Sequence, residues 1–182
     1  MNLCISIVLT VALLVSSMTD IRYQRIYNWL TFPLLLGGFA THTVFGGLEG
    51  LKFASLGFAF GFGAMVLPYF LGVMGAGDVK LMAGIGACLG FPLTLVAFLF
   101  TCIAGGVYAV CVLAFDRAVF KAVLTNITTT FSVFVATRRF NFAPTETHKT
   151  LPRLCYGVAI AIGTASAMVL QVWQTGTVLG AY

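Results

Sequence analysis

Apolar stretches of membrane-spanning length, parted by short polar or glycine-rich breaks, recur along the chain as far as Trp173. A hydrocarbon layer of about 30 Å takes about 20 apolar residues in helical form to cross. The pattern predicts an all-α, polytopic membrane protein with six transmembrane helices: about 2–18, 29–45, 53–73, a short 79–89, 93–115 and 154–173. The breaks carry the right chemistry. Thr19 to Asn28 is polar, and its Arg22, Arg25, Tyr23 and Tyr27 suit a membrane surface. Gly46-Gly47-Leu48-Glu49-Gly50 reads as a turn, and Gly90-Phe91-Pro92 divides the 35 uncharged residues from Leu81 to Phe115, too many for one ordinary span. Pro68 is expected to kink the inner end of the third helix, because it removes an amide donor. Gly57 and Gly61 have a spacing that lets another helix approach closely, with general packing the preferred reading.

Residues 116–153 break the pattern. They are the most polar part of the chain, yet Val119/Phe120, Val123/Leu124, Ile127, Thr130/Phe131 and Phe134/Val135 recur at helical spacing. With Lys121, Thr125, Asn126 and Thr128 on other faces, this segment is expected to contain a helix lying on the membrane rather than a seventh span. Charge then fixes the orientation. If the segment after the first helix is cytoplasmic, Arg22, Arg25, Lys80 and the six basic residues of 116–153 all lie inside, leaving Lys52 outside. Both termini are then outside. A single span over Leu81–Phe115 would put the large basic loop on the side opposite Arg22 and Arg25, against that rule.

Composition agrees with the pattern: 60% of the 182 residues are hydrophobic, 8% are charged, and the mean hydropathy is +1.03. One membrane-embedded domain over 1–182 is expected, with no soluble domain beside it. The net charge of +5 reports topology rather than a nucleic-acid partner. The run from Leu3 to Met18 lacks a basic n-region and a small-residue cleavage site, so it is expected to stay as the first span. The five cysteines include no Cys-x-x-Cys pair, and His42 and His148 have no His-Glu-x-x-His setting, so neither a metal site nor a cofactor is indicated. No serine sits in a Gly-x-Ser-x-Gly elbow.

Two acids stand in unusual company. Asp78 belongs to Gly75-Ala76-Gly77-Asp78-Val79-Lys80, an acid and a base beside a bare glycine loop, and Asp20 lies in the polar segment after the first helix. Two predicted spans separate them, so both fall at one membrane surface. An acid near hydrocarbon is costly and is by default a functional hypothesis. Two carboxyls brought close do not both ionise easily, the arrangement by which aspartic proteases activate water and protonate an amide. Gly75 and Gly77 are open to unusual backbone angles and to close approach by substrate or helix. Asp78 would also feel the positive end of its helix dipole. Each acid has a plainer reading: Asp78 as a helix cap, Asp20 as a surface counter-ion for Arg22 or Arg25. Lys80 does not face Asp78 on a helix and is expected to reach the surface or an acidic substrate group.

The segment Gly75 to Lys80 resembles the Gly-x-Gly-Asp motif of the type IV prepilin peptidases, and Asp20 with Arg25-Ile26-Tyr27-Asn28 is similar to that family's first aspartate segment. The pattern of spans is also similar. The resemblance implies an integral-membrane aspartic peptidase of the bacterial inner membrane. Such an enzyme removes the short basic leader of pilin and pseudopilin precursors at the cytoplasmic face, with Asp20 and Asp78 as the catalytic pair, Gly75 and Gly77 as the active-site loop, and no cofactor or metal. Arg22, Arg25 and Lys80 become candidate substrate or surface contacts. Lacking an extended cytoplasmic insertion with paired cysteines, the chain resembles the compact branch serving Flp (tight-adherence) pili. It departs from the family's usual prolines at Tyr27 and at Cys155, before Tyr156-Gly157.

The signal-peptide-peptidase and presenilin group shares Gly-x-Gly-Asp but is larger and sets its first acid in a Tyr-Asp pair, whereas Asp20 follows Thr19. A cation- or proton-coupled transporter would use the same two acids, although the sequence has no internal repeat in its support. A purely structural partner does not account for the glycine-framed acid.

Overall fold

A computed structural model describes residues 2–72, 74–115, 120–121, 125, 128 and 155–176. They form helices α1 (Asn2–Tyr23), α2 (Asn28–Phe70), α3 (Ala76–Phe115) and α4 (Tyr156–Thr175), with no strand among the described residues. All four are long and apolar enough to cross a membrane. The chain forms two compact units, Met1–Gly105 with Cys155–Tyr182, and Gly106–Leu154. In the second unit, residues 106–115 continue α3, and Phe120, Lys121, Thr125 and Thr128 are helical. The rest of the interfacial helix expected over 116–153 lies outside the described residues.

The glycine-rich breaks behave as backbone punctuation. Within α2 the dihedrals leave the helical region at Gly47 (φ 56°, ψ −136°), and within α3 at Gly90 (φ 75°, ψ 171°). Positive φ is open to glycine at little cost. At Gly47 the chain turns back on itself, because the His42 and Phe53 rings meet at 5.0 Å and those of Phe39 and Phe58 at 5.8 Å. An unbroken helix at 1.5 Å per residue would hold those pairs about 16 Å and about 28 Å apart. Gly50 packs directly on the His42 carbonyl.

Gly90 does the same for α3. The Phe60 ring meets Phe91 at 5.2 Å and Phe98 at 6.1 Å, while the next residue, Gly61, packs on the Met82 carbonyl. A straight helix would separate residues 82 and 98 by about 24 Å. Pro68 produces no such break. It sits near the end of α2, where Gly47 alone departs from helical dihedrals.

The arm 76–89 is the centre of the first unit. Residues 81–90 are all buried, as expected of a helix apolar on every side. Packing rather than water exclusion must hold helices together in lipid, and small residues permit it. Here glycines supply the contact. Gly57 and Gly86 lie so close that a Cβ on either would collide with the other's carbonyl oxygen, and Gly61 and Gly38 give similar access to Met82 and to Ala87–Cys88. The neighbour admitted by Gly57-x-x-x-Gly61 is therefore α3 of the same chain. His42, buried against this arm, donates from Nε2 to the Cys88 carbonyl at 2.9 Å.

Candidate active site

α1 runs past Met18 to Tyr23, farther than the hydrophobic pattern predicts, so Asp20 lies on a helix rather than in a loop. The helix stops at Gln24, which adopts φ 50° and donates its N–H to the Asp20 carbonyl at 2.9 Å. That is a left-handed helix end, normally a glycine's position. The chain then passes through Ile26 to α2.

Asp78 is organised locally. α3 begins at Ala76, so Asp78 lies in its first turn, and its N–H donates to the Gly75 carbonyl at 3.1 Å. In return, the Gly75 N–H donates to Asp78 Oδ2 at 3.0 Å. This is one half of a capping box, with the acid reaching back to the residue before the helix. Asp78 thus caps from inside the first turn rather than from the N-cap position of the plainer reading.

Asp20 is organised by a distant element. Its Oδ2 accepts the Gly157 N–H at 2.8 Å, at the start of α4, where the N-cap residue Cys155 makes no side-chain capping bond. An N-terminal amide of α4 is therefore satisfied from α1, against which α4 packs. The Cys155 thiol lies 3.8 Å from the Asp20 carbonyl oxygen. The ion pair among the described residues joins Lys52 to Glu49 at 2.7 Å, so Asp20 is not the counter-ion of Arg22 or Arg25.

Ile26 holds the pieces together. A Cβ on Gly77 would stand 2.9 Å from Ile26 Cβ and 3.2 Å from its carbonyl oxygen, and a Cβ on Gly157 would stand 3.1 Å from Ile26 Cδ1. The side chain is thus wedged between a glycine of α3 and one of α4. Both aspartates are buried, at 7% and 9% exposure, yet both line one cleft of about 380 Å³ with segments 24–28 and 75–77.

Of the expected loop glycines, Gly77 permits close approach, whereas Gly75 does not need to be bare: a Cβ there would meet Asp78 Oδ2 at an ordinary 3.4 Å. Neither has a positive φ, so the expected use of unusual backbone angles is not how they act. Arg25 lines the cleft and Arg22 does not. Lys80 Nζ donates to Asn28 Oδ1 at 3.0 Å and lies 5.4 Å from the Phe32 ring centre, which ties the start of α3 to that of α2.

Gly157 and Ile26 escape the sequence reading as site residues. The available signal was a helix start at Tyr156-Gly157 without a capping side chain before it, which leaves an amide in need of an acceptor. Among the described residues no group of three or more His, Cys, Asp or Glu side chains gathers as metal ligands do. Comparison with curated proteins and with solved structures finds no match. A family model described as the type IV leader peptidase family matches residues 7–110, more than half of the chain and the stretch that carries Asp20, Gly75, Gly77 and Asp78, and the chain belongs to that family.

Proposed function

We propose that this peptidase is of the aspartic type, with Asp20 and Asp78 as its catalytic pair and pilin or pseudopilin precursors as its substrates. The observation that carries this reading is that two acids from α1 and α3, 58 positions apart by their numbers (78 − 20), line one cleft. Water attacks the scissile carbonyl while one carboxyl takes its proton and the other donates to the amide. The pair titrates as a unit, so neither role is assigned to one residue. Hydrogen bonds from Gly157 and Gly75 hold one oxygen of each carboxyl in place.

With the reversals at Gly47 and Gly90 counted, the helical arms make six crossings of the bacterial inner membrane. By the distribution of basic residues, the cleft then opens at the cytoplasmic face and both termini lie outside. A precursor whose basic leader stays in the cytoplasm and whose hydrophobic segment enters the bilayer would present its scissile bond at that boundary. The compact chain without an extended insertion favours service to Flp-type pili.

The test is leader removal followed by gel shift, with the chain co-expressed with a pilin precursor from the same genome. Asp20→Asn and Asp78→Asn are compared at equal membrane insertion. Loss of cleavage in both variants is expected, and persistent cleavage in either removes the catalytic pair.

A further inference from the structure

We infer that Gly157, outside residues 7–110 that the family model matches, is a positioning residue for Asp20: its backbone N–H holds the carboxyl, and its lack of a side chain leaves room for it. The inference rests on the proposed role of Asp20.

Two observations carry it. The Gly157 N–H reaches Asp20 Oδ2 at 2.8 Å, and it comes from the first turn of α4, whose own N-cap residue supplies no side-chain acceptor. A Cβ at position 157 would stand 2.9 Å from that same Oδ2 and 3.2 Å from Asp20 Cβ. Hydrogen bond and steric limit thus fall on one carboxyl. Aspartate has a short side chain, so a methyl group at 157 is accommodated by swinging the carboxyl off the amide rather than by bending it. A reacting group displaced by about 1 Å can cost on the order of 10²-fold in rate.

A plain packing role must be separated from this one, because the same Cβ would also stand 3.1 Å from Ile26 Cδ1. Ile26→Val removes Cδ1 and leaves Asp20 untouched. The experiment measures kcat, KM and the pH profile of precursor cleavage in detergent. It uses the unaltered chain, Gly157→Ala, Gly157→Ala with Ile26→Val, and Asp20→Asn. Gly157→Ala is expected to lower kcat by about 10- to 100-fold with KM little changed. The acid limb of its pH profile should move, since a carboxyl's hydrogen bonds set its titration. Trimming Ile26 should restore neither.

Full recovery in the double variant would assign the effect to crowding of Ile26 and overturn the inference. So would a fall in activity with an unmoved pH profile, which is the mark of fewer folded molecules. If Asp20→Asn is inactive while Gly157→Ala cleaves normally, the positioning role alone falls. If Asp20→Asn cleaves normally, the catalytic reading falls with it.

Discussion

Asp20 and Asp78 are the same residue type, buried to the same degree in the same cleft, each with Oδ2 bound by a glycine N–H. They differ in where that glycine comes from. For Asp78 it is three residues away, in the turn that starts its own helix; for Asp20 it is 137 residues away, on another helix. One carboxyl is set by local geometry and forms with its helix. The other is set by the docking of α4 on α1, so anything that loosens that packing acts first on Asp20.

The comparison can be broken most completely by removing the charges. Asparagine keeps an oxygen that accepts an N–H, so Asp20→Asn and Asp78→Asn retain both caps and lose only the ionisable group. Each is expected to lower leader cleavage by about 10²–10⁴-fold, the range for loss of an acid or base, with thermal stability in detergent near that of the parent. A large fall in melting temperature would instead show that the ionisable groups themselves stabilise the fold, since the caps are retained.

Gly77→Ala should come next. The new Cβ meets Ile26 at its branched carbon and its backbone, not at a pliable tip, so segment 24–28 must shift. Overpacking of this kind costs about 1–3 kcal/mol, and a thermal shift together with a loss of cleavage is expected.

Gly75→Ala sharpens the contrast from the other side. Its Cβ would make ordinary contact with Asp78 and its φ is not positive, so only the N-cap preference for glycine over alanine is lost, about 1 kcal/mol or less. Cleavage within a few-fold of the parent is expected. Smallest of all is Lys80→Met, which removes one exposed bond to Asn28, with a stability change of about 1 kcal/mol or less. If cleavage nevertheless fell steeply at constant stability, Lys80 would be a substrate contact rather than a strut.

Much of this arrangement was legible from pattern alone. The breaks at Gly46–Gly50 and Gly90-Phe91-Pro92 were readable because glycine and proline act on the backbone through their own geometry. The Asp78 loop was readable because its contacts are local. The end of α1 was not: Gln24 in a left-handed conformation is not a residue from which a helix stop is read, so the helix ran on to carry Asp20. Gly57-x-x-x-Gly61 announced a close approach but not its partner, because nothing in one helix names the face that packs on it. Gly157 and Ile26 were not readable as site residues for the same reason. Their importance is a matter of which side chains must be absent, and which amide must be met, once α1, α3 and α4 are assembled.

The distance in sequence between Asp20 and its amide also bears on the order in which the molecule is made. A ribosome delivers α1 and the Asp78 loop long before it delivers α4, so a nascent chain already has both acids while it still lacks the donor that holds one of them. α4 is thus more than a membrane span. Its arrival supplies the amide that holds the Asp20 carboxyl, so the setting of that acid waits on a helix made long after the one that carries it.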